Sequence, residues 1–252
     1  MTKIILSGCL GRMGRAVYAA AAEHGDVAVV AGIDPQGGTA DYPVYPSACA
    51  IPAGLTADVI IDFSHHTALP ALLEFALTRN LPVVVATTGH EEGELAVMRD
   101  AAGRIPIFYS RNMSLGINLL IELCRRAAAT LGDGFDVEII ERHHNRKLDA
   151  PSGTALMLAD AIAEVREDSA YVYDRHTVRR PRDPHEIGIH AVRGGTIVGE
   201  HEVMFAGRDE VVTLSHSAAS REVFAVGALH AAIWLPGRTV GMYDMQDMVK
   251  EM

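Results

Sequence analysis

The sequence predicts an α/β chain in two parts: a parallel sheet with crossover helices, then an α+β region built on a mixed or antiparallel sheet. Three observations carry this. Short apolar runs alternate with helical patterns up to residue 131, a glycine-punctuated turn separates the first run from the first helix, and beyond residue 136 strands follow one another with few helices between them.

The first apolar run, 3–8, ends in Ser7-Gly8-Cys9-Leu10-Gly11-Arg12-Met13-Gly14, and a helical pattern continues through 15–20. The glycines fall as G-x-x-G-x-x-G. Leu10 stands where the dinucleotide fingerprint G-x-G-x-x-G has its second glycine, so the general motif is matched only in part. Context strengthens it, because the strand Val27–Ile33 ends at Asp34, 20 residues beyond Gly14, where such a fold sets an acid against the adenosine ribose hydroxyls. An acidic turn residue before Pro35 is the competing reading of Asp34. Strand, glycine turn, helix, strand and acid in that order favour a Rossmann-like dinucleotide-binding domain.

The alternation continues with a strand at 59–63, a helix at 68–77, a strand at 82–86, a helix at 91–102 and a strand at 105–109. Residues just past strand C-termini are where open α/β sheets bind ligands. Thr87, Thr88, Gly89 and Asn112 are therefore candidates for the cofactor's nicotinamide half, with loop capping as the alternative duty of each. After a helix at 115–131, longer strands are expected at 137–140, 187–192, 196–205 and 211–216, the second and third of these joined across Gly194-Gly195. Residues 167–185 carry four Arg and two Pro without periodicity and read as a loop, with Arg175, Arg179, Arg180 and Arg182 a solvated cluster. A last helix is expected at 220–235, stopped by Pro236-Gly237.

Composition excludes several classes of function. A formal charge of −10 argues against a general nucleic-acid or anionic-membrane surface, and 49% hydrophobic residues in a 252-residue chain suffice for a substantial core. Three widely spaced cysteines, Cys9, Cys49 and Cys124, give neither a disulfide framework nor a zinc pattern, which fits a reducing cytoplasm. The N-terminus runs straight into an apolar strand with no targeting pattern, and no apolar run reaches the ~20 residues of a membrane helix.

Polar chemistry concentrates in 141–154, E-R-H-H-N-R-K-L-D-A-P-S-G-T, between the apolar run 137–140 and an apolar helix at 155–165. Pro151 fixes its own φ, Ser152 is an N-cap candidate, and Gly153 lets the backbone approach a ligand. Exposed N–H groups and the helix dipole would then meet an anion such as a carboxylate. His143, His144 and Lys147 supply two groups that exchange protons near neutrality and one cation, suited to a reaction in which an anionic substrate gains a proton. Adjacent histidines point to opposite faces of a strand, and a lone lysine is usually solvated, so spacing alone leaves a non-catalytic reading open. Metal binding by His143-His144 or His65-His66 is disfavoured: neither H-E-x-x-H nor C-x-x-C occurs, and neighbouring residues do not converge on one ion.

Several pieces together resemble the dihydrodipicolinate reductase family nearly end to end. They are 8–14, Ile61-Asp62-Phe63-Ser64, Ala86-Thr87-Thr88-Gly89, Asn112-Met113-Ser114-Leu115-Gly116-Ile117-Asn118, Glu141 with His143-His144 and Lys147, 149–155, and Gly199-Glu200-His201. The H-H-x-x-K-x-D-A-P-S-G-T-A string is the most diagnostic. The resemblance implies hydride transfer from NADH or NADPH to C4 of a cyclic imine dicarboxylate in lysine and diaminopimelate biosynthesis. It implies His143 and Lys147 as the acid pair, and His144, Ser152, Gly153 and Thr154 as substrate-binding residues. For the cofactor it implies Gly8, Cys9, Leu10, Gly11, Arg12, Met13, Asp34, Ala86, Thr87, Thr88, Ser110, Arg111, Asn112 and Met113. It further implies a discontinuous first domain, 1–113 with 222–252, a substrate and oligomerisation domain at 114–221, and a homotetramer associating through the second sheet. The resemblance also implies that many members of the family use both cofactors and carry a basic residue just after the acid. Pro35 and Gln36 follow Asp34 here, so NADH is the expected preference and NADPH the alternative. Another nicotinamide-dependent imine or keto-acid reductase, or a non-catalytic NAD(H) sensor, remain the rival readings.

Overall fold

The computed structural model describes all 252 residues, which divide into two compact units: Met1–Leu115 with Glu222–Met252, and Gly116–Arg221.

The first unit runs β1 (Thr2–Ser7), α1 (Arg12–His24), β2 (Val27–Ile33), β3 (Val44–Tyr45), β4 (Val59–Asp62), α2 (Leu69–Arg79), β5 (Val83–Val85), α3 (Glu92–Ala102) and β6 (Pro106–Tyr109). Its strands are near-continuous apolar runs because the sheet is covered on both faces. Ile4, Leu6, Val59, Ile61 and Val84 enter one core, while Ile5, Ile60, Val83 and Val85 enter the other, with α2 and α3. The two-residue edge strand β3 lies outside the strands expected from the sequence, since two residues give no periodicity to read.

The second unit holds most of α4 (Leu115–Leu131), then β7 (Asp136–His143), α5 (Gly153–Ala163), β8 (Ala170–Val172), β9 (Glu186–Arg193), β10 (Gly199–Ala206) and β11 (Val211–Ala218). Its sheet has the order β11-β10-β7-β9-β8, with β7 parallel to β9 and antiparallel to β10. Its helices cover one face. Val137, Ile139, Ile187, Ile189, Val203 and Phe205 pack against Ile117, Leu120, Ile121 and Cys124 of α4 and against Leu158 and Ile162 of α5, giving the period-two burial of β7 and β10.

Three sequence expectations need correction in this unit. β9 and β10 are not partners across Gly194-Gly195, because β7 lies between them. The link 194–198 spans two strand spacings, about 10 Å, and passes over the end of β7, where Gly194 N–H donates to the His143 carbonyl and Asn145 N–H to the Gly195 carbonyl. The 167–185 segment is not wholly loop, since 170–172 adds the edge strand β8. Nor are three of the four clustered arginines simply solvated, although Arg179 is exposed. Arg175 reaches Glu138 and Glu186, Arg180 reaches Glu186, and Arg182 reaches Asp136, Glu138 and the carbonyls of Val137 and Glu186. The partners are carboxylates and carbonyls of β7, some 40 residues away in sequence, and of Glu186, which opens β9 a few residues beyond the cluster. Gly188 makes room for one of them, as a Cβ there would stand 1.7 Å from a Glu138 carboxylate oxygen.

After this unit the chain returns to the first as α6 (Glu222–Trp234), β12 (Gly241–Tyr243) and α7 (Met245–Glu251). β12 pairs in parallel with β6, giving the seven-stranded order β12-β6-β5-β4-β1-β2-β3 with every neighbouring pair parallel. No helix is long and apolar enough to cross a membrane.

Candidate active site

In the first unit, the glycine turn is dictated by close backbone approach. Gly8 has φ +73°, and a Cβ on it would lie 2.5 Å from the Phe63 carbonyl oxygen; a Cβ on Gly14 would lie 2.3 Å from that of Gly8. These two glycines therefore pack the first turn of α1 against the ends of β1 and β4. Leu10 has no such constraint: its side chain packs over Gly38 and the core, and its N–H donates to Asp34 Oδ2 at 3.2 Å. Asp34 Oδ1 accepts from Gln36 N–H at 3.1 Å, so the carboxylate of this buried residue is fixed at the end of β2. Cys9 is buried against Gly32, leaving only its backbone for a ligand.

α1 begins at Gly11 without a side-chain cap and with no acid in its first turn; Arg12 is exposed there. Uncapped N–H groups, a helix dipole and a fixed acid at the end of β2 fit the pyrophosphate and ribose of a dinucleotide. At the end of β5, Thr87 Oγ1 donates to Asp62 Oδ2 at 2.9 Å, so its hydroxyl is engaged within the loop. Thr88 and Arg111 are exposed, whereas Ala86, Ser110, Asn112 and Met113 are buried. Ser110 Oγ donates to the Asn112 carbonyl, and Asn112 Oδ1 accepts from Ser114 N–H, fixing the turn after β6.

In the second unit, the inner face of the sheet turns polar at one end. β7 continues from Val137 and Ile139 to Glu141 and His143 on the same face, and Glu141 lies opposite His201 of β10. Glu141 is 0% exposed yet has four donors: His143 Nδ1 at 2.6 Å, Ser152 N–H at 2.9 Å, and Arg193 Nη1 and Nη2 at 2.6 and 2.7 Å. Burial pushes its pKa up, but the Arg193 guanidinium, His143 and the Ser152 N–H together outweigh burial and hold it below the usual carboxylate range.

Ser152 caps α5, its Oγ accepting from Ala155 N–H at 3.2 Å and lying 3.1 Å from His201 Nε2. The residue is buried, at 2% exposure. His201 is pushed down to about 3, first by burial and then by His143, so it stays neutral. Gly153 opens α5, and a Cβ there would meet no protein atom within 4 Å. Packing does not require glycine at this position, unlike at Gly8 or Gly14.

The loop between β7 and α5 gathers cations in an otherwise acidic chain. Lys147 Nζ stands 2.9 Å from Asp149 Oδ1, and Arg221 Nη2 stands 3.2 Å from His144 Nε2. Burial, then Arg221, Arg146, His143 and Lys147, hold the His144 pKa below its ordinary value. The arrangement offers two or more cations and a helix start to a small dianion, with a histidine fixed by a buried carboxylate beside it.

Sequence reasoning assigned no role to Glu141, Arg193, His201 or Arg221. For Glu141 a signal existed, since it stands two residues before His143 and so shares its face of a strand; for the other three, pairing across the sheet or the fold supplies the contact.

Comparison with known proteins gives two family models that together span the chain: "Dihydrodipicolinate reductase, N-terminus" over 2–113 and "Dihydrodipicolinate reductase, C-terminus" over 116–249. The chain is 55% identical over 252 residues to a 4-hydroxy-tetrahydrodipicolinate reductase of Caldanaerobacter subterraneus subsp. tengcongensis, covering 100% of this chain and 99% of the relative. It is 44% identical to the enzyme of that name from Clostridium novyi, covering 99% of each. Among solved structures it is similar to a dipicolinate-bound dihydrodipicolinate reductase from Paenisporosarcina sp. TG-14, with a TM-score of 0.83, 26% identity, and coverage of 98% of this chain and 99% of that one.

Proposed function

The chain belongs to the dihydrodipicolinate reductase family, and from that premise we propose how its residues divide the work of the reaction. The activity is NAD(P)H-dependent reduction of 4-hydroxy-tetrahydrodipicolinate to tetrahydrodipicolinate in lysine and diaminopimelate biosynthesis. The observation that carries the reading is the full-length match joined to a local one: the diagnostic H-H-x-x-K string folds into a cation-rich loop at the uncrowded start of α5. A non-catalytic sensor would not need Lys147 beside such an anion-accepting helix start.

The dinucleotide is held by the first unit. The close-packed Gly8 and Gly14, the uncapped start of α1 and the fixed Asp34 fit it, with Gly11, Arg12 and Met13 at the pyrophosphate and Ala86 to Thr88 and Ser110 to Met113 toward the nicotinamide. When bound, NADH or NADPH supplies the hydride for C4 of the ring. In the second unit, the N–H groups of Gly153 and Thr154 take one substrate carboxylate, and His144 with the cations around it takes the other. Lys147 delivers the proton to the ring and stabilises the charge that develops there. His143 completes the acid pair. Ser152 supports this site chiefly as the cap that sets the start of α5.

The preferred cofactor is NADH. Asp34 accepts from ribose 2′- and 3′-hydroxyls, a 2′-phosphate would meet its negative charge, and neither Pro35 nor Gln36 offers a cation. The protein acts in the cytoplasm as a homotetramer associating through the outer face of the second sheet, where Ile140 and Met204 are half-buried in the single chain.

The test is nicotinamide oxidation followed with enzymatically generated 4-hydroxy-tetrahydrodipicolinate. Substrate-dependent oxidation, with higher kcat/KM for NADH than for NADPH, is expected. No substrate-dependent oxidation sinks the activity; a clear NADPH preference sinks the role of Asp34 alone and makes Arg12→Ala the next variant.

A further inference from the structure

We propose that Glu141 is a positioning residue for catalysis, fixing His143 with its proton on Nδ1 so that Nε2 is the one ring nitrogen available to the reaction. This rests on His143 belonging to the acid pair. The carboxylate is held ionised by Arg193 and has no proton to give, so at 2.6 Å the hydrogen between it and His143 Nδ1 belongs to the imidazole.

Two other features point the same way. Arg193 is register-paired with His143 across β7 and β9, and both its terminal nitrogens bind Glu141, one to each oxygen; it also donates to the Asp149 carbonyl. The guanidinium therefore neutralises the buried carboxylate and stops it rotating. Beside the opposite edge of the imidazole lies Gly199, where a Cβ would stand 3.2 Å from His143 Nε2. Glycine there keeps the Nε2 edge uncrowded while Glu141 anchors Nδ1. Glu141 also accepts from Ser152 N–H, so one carboxylate sets both the ring that handles the proton and the start of the helix that receives the substrate anion.

The carboxylate also ties α5 to β7, so loss of activity in a variant would not by itself separate aiming the ring from holding the fold. The histidine tautomer separates them. In protein labelled with ¹⁵N-histidine, the His143 resonances are assigned by their disappearance in His143→Gln, and long-range ¹H–¹⁵N spectra show which nitrogen carries hydrogen. Protonated Nδ1 is expected in the wild-type protein; a bare Nδ1 overturns the proposal whether or not any variant folds.

Glu141→Gln should then lower kcat at saturating substrate about 10²–10⁴-fold and lose the fixed Nδ1–H signal, with NADH affinity unchanged within about twofold. Losses confined to thermal stability and dipicolinate affinity, with kcat within about threefold of wild type, would mean the residue is only structural and would overturn the proposal. The His143→Gln protein used for assignment also tests the premise. Wild-type kcat in that variant removes His143 from the acid pair and the positioning role with it, even with Nδ1 protonated; a bare Nδ1 with an inactive His143→Gln sinks the positioning role and leaves the acid pair standing.

Discussion

Replacing Gly227 by alanine should destabilise the first unit, although the same change in most helices stabilises. Gly227 is buried within α6, where alanine is ordinarily favoured by about 1 kcal/mol. Here the added Cβ would lie 1.7 Å from the Met113 carbonyl oxygen and 2.8 Å from its carbon, both backbone atoms. That is about 1.5 Å short of van der Waals contact, and no rotamer can relieve it. Either α6 or the turn after β6 must shift. Overpacking of this kind costs about 1–3 kcal/mol, and a clash with backbone belongs at the upper end, so the net loss is about 2 kcal/mol after the helical gain. For a chain of this size that lowers Tm by about 4–8 °C. The affected carbonyl belongs to Met113, the last residue of the 110–113 segment that we assign to cofactor binding, so NADH affinity should fall as well. Thermal melts and NADH fluorescence titrations measure both quantities. A Gly227→Ala protein melting at or above the wild-type temperature would show that helix propensity outweighs the clash and would refute the reasoning.

Four further outcomes are expected. Lys147→Ala should lower kcat about 10²–10⁴-fold with cofactor affinity nearly unchanged, and a variant with wild-type kcat would remove the proton-donor role. Gly153→Ala should keep or slightly raise Tm, because its Cβ meets nothing, while weakening dipicolinate binding measured by calorimetry; undiminished binding would place the carboxylate elsewhere. Thr154→Val should likewise weaken dipicolinate, and monocarboxylate analogues binding as well as dipicolinate would argue against a two-carboxylate site. On acidification the second unit should lose stability. Arg175 foremost holds Glu186 below the usual carboxylate range, and His190 and Arg182 outweigh burial to hold Glu138 below it, so their contribution is present above about pH 4.3 and disappears as pH falls through their lower folded values. Tm measured from pH 7 to 3 should drop below that point, and Glu138→Gln should flatten the drop; a parallel curve for the variant would exclude Glu138 as a source.

What the sequence reveals of this protein follows from which contacts are local and which are set by register. The strands of the first sheet are legible because both faces are buried: Ile4 and Leu6 go to one core and Ile5 to the other, so the run needs no alternation to be recognised. The glycine turn is legible because one of its close approaches is local, a Cβ on Gly14 meeting the carbonyl of Gly8. The second sheet shows its strands through alternation but not its pairings. Nothing in the spacing of Gly194-Gly195 says that β7 will be inserted between β9 and β10, and Arg175, Arg180 and Arg182 look solvated until Glu138 and Glu186 are brought beside them. The candidate site divides along the same line. His143, His144, Lys147 and 152–154 occupy one short segment and can be read together, and strand parity alone puts Glu141 on the face of His143. Arg193 and His201 reach that face only because β9 and β10 flank β7 in one particular register. A one-residue slip of β9 would turn Arg193 to the other face and leave a buried, unpaired carboxylate at Glu141. The ion pair therefore selects the register that in turn fixes the histidine, and a site whose ligand-facing residues are contiguous still depends on the whole sheet for its aim.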